Sequence, residues 1–253
     1  MNWLDDMMTW SLWVFLPPLY FVGTAAGLWV VYFTAVKNED IVPLTSQYRR
    51  VVNSSIYFPY ISVAGNSPPA SCIFSQVMNL AAFAGFIIAV LRYLQIKYTI
   101  GKSWLNIGSV IACSVSCFGM TLVGNFQIFS EETIHNTGTL MVFGMGTLFC
   151  WMQSFMTLCE GKKFAVFRFL LSASITACII IHSSMIAVHL HMHGARSQWA
   201  LVMFLLMFIA TFAVEFRHCH FDLICRDDSR CSIIPPQTFS EMRQTHDWSN
   251  TNT

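Results

Sequence analysis

Long apolar stretches alternate with short polar ones from residue 12 to residue 216, and this alternation organises the chain. A helix needs about 20 mostly apolar residues to cross a hydrocarbon core. Six stretches meet that test: 12–36, 72–91, 105–125, 137–159, 169–192 and 198–216. The second and third are diluted by polar side chains, and the sixth stops at Glu215. Only a few residues around His193–Arg196 separate the fifth from the sixth, enough for a tight helical hairpin. The predicted fold class is all-α, a polytopic membrane bundle of six transmembrane helices. Residues 1–11 hold Asp5 and Asp6 but no Lys or Arg, and the run that follows exceeds a signal-peptide core. It reads as a first span that stays attached. After Phe216 the chain turns polar, carries Pro235-Pro236 and ends rich in Ser, Asn and Thr. The membrane domain is therefore placed at 1–220 and a disordered cytoplasmic tail at 221–253.

Composition agrees with this pattern. The chain is 55% hydrophobic and 11% charged, whereas a soluble domain carries about 25% charged residues. A net charge of +1 with scattered basic residues excludes a general attraction to nucleic acid.

Basic residues orient the spans. One set of alternate loops and ends holds Arg92, Lys97, Lys102, Lys162, Lys163, Arg168, Arg217, Arg226, Arg230 and Arg243. The other holds only Lys37, Arg49, Arg50 and Arg196. Both termini are thus expected in the cytoplasm. The glycosylation sequon at Asn53 then falls in the long outer loop, where it must lie to be used. Trp10, Trp13, Trp29, Tyr32, Trp104 and Trp199 fall at predicted span ends, as interfacial anchors do.

Polar residues inside the spans must face protein or water. Gln76, Asn79 and Phe83 share a face of the second span; Thr139, Gly146, Cys150, Gln153 and Thr157 form a stripe on the fourth; Ser172, Thr176 and Ser183 do so on the fifth. These stripes, and Gly23-x-x-x-Gly27 in the first span, read as helix-packing surfaces rather than a conduction path. Arg92, Glu215 and Arg217 lie at inner span ends, where an acid–Arg contact is ordinary. No arginine ladder or mid-span carboxylate suggests voltage sensing or proton pumping. Glu39, Asp40, Glu131 and Glu132 on the outer side could concentrate cations, or could simply be solvated loop charges. His182, His189 and His193 would share a face of a continued helix but spread over too many turns for one metal ion.

The nine Cys show no zinc spacing. Cys219, Cys225 and Cys231 follow the last span; Cys219 is the best-placed palmitoylation candidate, an unmodified thiol being the alternative. No phosphate loop, nucleophile elbow or zinc-protease motif occurs, so neither an enzyme nor a cofactor is expected.

Two motifs carry a family resemblance. The segments Pro59–Gly65 and Pro68–Asn79, with Pro68-Pro69, Ser71 and Cys72, resemble the loop-to-second-helix signature of the DRAM/Frag/Sfk family. Gly124-Asn125-Phe126-Gln127 resembles a second motif of that family. The resemblance spans residues 12–220 and implies six spans with cytoplasmic termini. It further implies a component or modulator of mechanically activated, slowly inactivating cation currents at the plasma membrane. Partners would be the lipid bilayer and further copies of the chain or a mechanosensitive channel. Other members imply the alternative: a non-conducting scaffold for a phosphatidylinositol 4-kinase complex, or a regulator of autophagy and lipid trafficking at lysosomal or endosomal membranes. Within the motifs, the two prolines cannot continue a helix and Ser71 is expected to cap the one that follows. Gly65 is expected to adopt an unusual backbone angle. Asn125 and Gln127 are expected to hydrogen-bond the 59–72 turn, making one packed outer platform.

Overall fold

In lipid every backbone N–H and C=O needs an internal partner, so the apolar stretches close as helices. The computed structural model describes residues 11–46, 56–97, 103–217 and 219. Asn53, Cys225, Cys231 and the 221–253 tail lie outside the described residues, as do Trp10 and the first acidic residues. Six helices are long and apolar enough to span: α1 (Leu16–Lys37, entered through a 3-10 turn at Leu12–Phe15), α2 (Ala70–Ile96), α3 (Ser103–Asn125), α4 (Glu132–Cys159), α5 (Ala165–Ala187) and α6 (His191–Ala210). A short turn of helix at Ala213–Phe216 prolongs α6, and another at Ile61–Ala64 precedes α2. Among the described residues there is no strand, only the isolated bridge between Ile41 and Tyr57.

The span count matches the sequence reading, but some boundaries move. α5 ends at Ala187 and α6 begins at His191, so the hairpin turn lies at Val188–Leu190, with His189 at φ 57°. The 193–197 segment read as a loop is helical because Arg196 has partners there. Its guanidinium donates to the carbonyls of Leu44 at 2.9 Å and Ser46 at 3.2 Å. The break at Val188–Leu190 also means that His182, His189 and His193 never share a continuous helix face.

Each helix packs on its neighbours in sequence, and α1 closes the circuit by packing on α6. The N–H of Ser11 donates to the carbonyl of Arg217 at 3.3 Å, so both ends of the described chain lie at one end of the bundle. We call this the terminal end and the opposite one the far end. In α1 the close approach falls on Gly27, where a Cβ would lie 2.5 Å from Val77; Gly23 faces open space and takes no part. α3 and α4 also approach closely: a Cβ on Gly119 would lie 2.7 Å from the carbonyl of Gly138. Just beyond, α4 widens into a π turn at Met141–Met145, and Ser116 Oγ donates to the Val142 carbonyl at 3.2 Å. A π turn of this kind often marks a functional position within a helix.

Candidate functional site

At the terminal end five charged side chains converge. Arg92, in the last turns of α2, and Arg168, in the first turn of α5, are both 0% exposed. Arg92 Nη2 stands 2.7 Å from Glu215 Oε1 and 3.1 Å from Glu160 Oε2, while its Nε donates to Gln153 Oε1 at 3.2 Å. Arg168 grips both carboxylate oxygens of Glu215, with Nη1–Oε1 at 3.0 Å, and donates to Thr157 Oγ1 at 2.6 Å and Thr211 Oγ1 at 2.9 Å. Lys162, half-buried in the α4–α5 connection, bridges Glu160 at 2.7 Å and Glu215 at 3.3 Å. The ring of Phe212 lies 4.4 Å from the Arg168 guanidinium, with Phe164 at 5.0 Å and Phe208 at 5.6 Å. Gln153 also donates to Ser109 Oγ at 2.7 Å, which brings in α3.

Charges inside a membrane domain persist only when paired and hydrogen-bonded. Here each arginine has a carboxylate, neutral acceptors and aromatic faces, so neither is left bare. The cluster ties α2, α3, α4, α5 and the end of α6 into one knot. Arg92 and Glu215, expected as an ordinary surface contact, are instead buried members of it. Arg217 is exposed, its carbonyl closing on Ser11. Sequence reasoning missed Arg168, Glu160 and Lys162 as members because all three sit in or beside a connection and were read as loop charges. The available signal was the polar stripe of α4, whose Gln153 and Thr157 face the two arginines. Cys219 is half-buried against the same knot. Gln95 Nε2 donates to its Sγ and to the Glu215 carbonyl, the latter at 2.8 Å.

At the far end the two motifs do pack together, through bonds other than those expected. Asn125 pairs with α2 itself: its Oδ1 accepts from Ser75 Oγ at 2.7 Å and Asn79 Nδ2 at 3.0 Å, and its Nδ2 donates to Asn79 Oδ1 at 3.1 Å. Gly124 lets α3 approach, since a Cβ there would lie 2.7 Å from Met78 Cβ. The link between loops runs from the Phe129 N–H to Asn66 Oδ1 at 3.1 Å. Gln127 contributes its carbonyl, which accepts from Ser130 and Glu131 and closes the α3–α4 turn. The 59–72 turn is held by α6. Trp199 Nε1 donates to the Pro59 carbonyl at 3.0 Å, and the Ile61 N–H donates to Gln198 Oε1 at 2.9 Å.

Three motif readings are corrected. Ser71 does not cap α2: Pro69 occupies the cap position after a cis Pro68–Pro69 bond, and Ser71 is buried within the first turn. Gly65 has an ordinary φ of −86°; it is required because a Cβ there would lie 2.4 Å from the Phe74 ring. Trp199 and Tyr32 are core residues rather than interfacial anchors. Trp199 stacks on Trp29 at 4.7 Å, and the Tyr32 hydroxyl accepts from the Leu44 N–H at 2.9 Å. Trp104 does remain exposed at its span end. Cys72 is exposed at the start of α2.

The polar stripes behave unevenly. In α5, Ser172 bonds Ser154 at 3.0 Å and Thr176 accepts from Trp151 Nε1 at 3.0 Å, but Ser183 is exposed. Gln76 and Phe83 are exposed, while Asn79 beside them on the same face is partly buried against Asn125. Tyr60 and His191 meet at 3.1 Å beneath the far-end loop, and burial pushes the Tyr60 phenol up to about 12. No group of His, Cys, Asp and Glu able to hold a metal ion occurs among the described residues.

Six apolar helices, a buried ionic knot at one end and a hydrogen-bonded loop platform at the other define a multi-pass membrane protein. Residues 12–219 match the family described as the Frag1/DRAM/Sfk1/Cwh43P N-terminal domain. The chain belongs to this family. It is 32% identical over 211 residues to the modulator of macroautophagy TMEM150B-A of Xenopus laevis, covering 81% of this chain and 87% of that one. It is also 32% identical to mouse TMEM150B over 239 residues (89% and 94% covered) and 29% identical to transmembrane protein 150A of Xenopus laevis over 229 residues (81% and 83% covered). No solved structure matches.

Proposed function

We propose that this protein is a non-enzymatic, non-conducting membrane regulator that acts in macroautophagy and lipid trafficking through its terminal-end surface. The supporting observation is the ionic knot. Among the described residues, Arg92, Arg168 and Glu215 fill the terminal end of the bundle with buried, bound side chains, an arrangement that favours a closed end over an ion entrance. Relatives named as modulators of macroautophagy favour the same reading. The knot faces the cytoplasm in this reading, in keeping with the distribution of basic residues, and Lys163 stands exposed beside it toward an acidic partner such as a phosphatidylinositol 4-kinase assembly. The membrane would be endolysosomal, or the plasma membrane if the kinase is the partner.

A second reading is that the chain is a component or modulator of a mechanosensitive cation channel. It rests on Ser116–Gln127, Leu171–Thr176 and Thr211–His218, which resemble the C-type member of the transmembrane-protein-150 group, tentonin. Two measurements separate the readings. Purified protein in channel-free liposomes under applied pressure is expected to stay silent, and cells lacking the protein are expected to show altered autophagic flux restored by re-expression. Pressure-evoked currents that change with mutation of this chain would overturn the first reading in favour of the second.

A further inference from the structure

Between the two ends, in the far half of the bundle, lies a cavity of about 110 Å³. It is walled by α1, α2, α3, α4, α6 and the Ile61–Ala64 turn, and α5 contributes nothing to it. Its centre is formed by Cys113, Cys117 and Cys150 beside Gly85, with Phe74, Met78 and Phe149 around them. Six polar side chains other than thiols line the wall, Tyr20, Thr24, Ser62, Ser116, Thr139 and Gln198, and three of them make hydrogen bonds within the bundle. Ser116 donates to the Val142 carbonyl, Thr139 to the His135 carbonyl at 3.0 Å, and Gln198 accepts from Ile61. The buried side-chain atoms left without a partner belong to Asp40, Asn106, His135 and Thr147, none of which lines the cavity. A buried water needs about three hydrogen bonds, and an apolar cavity of about 150 Å³ stays dry yet takes benzene. Most of the wall is apolar side chain, so the space suits hydrocarbon better than water.

The wall has one thin side. Along Gly146–Cys159 α4 packs on α3 and α5 and only sparsely on α6, and its far half packs on α3. The π turn Met141–Met145 sits at the opening this leaves. Val142 and Phe143 on α4, and Val202 and Leu205 on α6, line the cavity and are each partly exposed.

We propose that the cavity accepts the terminal carbons of a membrane lipid acyl chain, entering between the π turn of α4 and the middle of α6. Its volume admits a chain end and excludes a whole sterol. Moving a chain end from bilayer to cavity gains no hydrophobic free energy, so packing against the thiols and Phe149 sets occupancy. The proposal does not depend on whether the protein regulates autophagy or a channel.

The test uses the full chain in nanodiscs containing phosphatidylcholine with a photoactivatable diazirine at the chain terminus. Peptide mapping is expected to find label on Val142, Phe143, Cys117 or Cys150, and much less when the diazirine sits near the headgroup. Val202→Trp and, independently, Val142→Phe plug the opening. Each is expected to abolish cavity labelling while leaving label on the lipid-facing Leu140 and Phe118, which reports that the bundle is intact. Label confined to Leu140 and Phe118 in the unmodified protein would overturn the proposal. So would unchanged cavity labelling in both plugged variants, or fast reaction of Cys113, Cys117 and Cys150 with a charged thiol reagent, which would show a wet cavity.

Discussion

Replacing Glu215 with Gln removes one negative charge and almost no volume, so it isolates the electrostatic contribution of the ionic knot. In the native arrangement two arginines and Lys162 face two carboxylates, and Glu215 touches all three cations. After Glu215→Gln, only Glu160 remains to offset two guanidiniums that are 0% exposed. Removing one partner of a buried pair costs about 3–5 kcal/mol. Lys162 adds little, because it is 33% exposed and solvent screens it. A single interhelical hydrogen bond within a membrane contributes roughly 0.6 kcal/mol and at most about 1.7 kcal/mol, so the charge effect dominates any loss of geometry. The companion variant Arg168→Met/Glu215→Leu removes one charge of each sign and leaves Arg92 paired with Glu160. Well-packed apolar replacements of buried ion pairs are often neutral or even stabilising. The double variant is therefore expected to be more stable than Glu215→Leu alone. The assay is the temperature at which detergent-solubilised protein loses its monodisperse elution peak. The reasoning is refuted if Glu215→Gln melts with the unmodified protein, or if the double variant loses as much as both single losses together.

Three further outcomes follow from the far end and from the orientation. Gly65→Ala drives a methyl into the Phe74 ring and is expected to cost about 1–3 kcal/mol, with partial recovery in Gly65→Ala/Phe74→Leu, read by the same melting assay. Asn125→Leu strands Asn79 and Ser75; a loss of roughly 1–2 kcal/mol is expected, and Asn125→Gln is expected not to restore it, since the longer side chain misplaces the amide. Intact cells are expected to show glycan at Asn53, removable by amidase, while Lys162 and Lys163 react with impermeant amine reagents only after permeabilisation. Reaction of those lysines from the same side as the glycan would reverse the orientation.

Much of the architecture was legible in the order of residues because the bilayer imposes a local rule. Length and hydropathy of a stretch decide whether it crosses, so six crossings could be read without any tertiary information. The small and polar stripe of α4 also announced an inward face, and Gly124 and Asn125 announced a contact. The partners of that contact were not legible. Asn125 was assigned to the 59–72 turn, yet the rise of α2 sets Ser75 and Asn79 opposite it. Gly65 was read as a backbone hinge because glycine has that use, whereas the deciding object, the Phe74 ring, is nine residues away.

Sequence alone determined that the chain is a membrane helix bundle, roughly where each helix runs, and which residues are too polar to face lipid. Tertiary structure decided that Arg168, from the first turn of α5, and Glu215, from the end of the last span, grip one another beside Arg92. It also decided that three thiols from two helices share one cavity beside a π turn. The physical reason is one of range. Hydrophobic transfer acts on each segment separately and leaves its mark on local composition. Pairing of buried charges and close packing depend on which helices become neighbours, and no single segment carries that information.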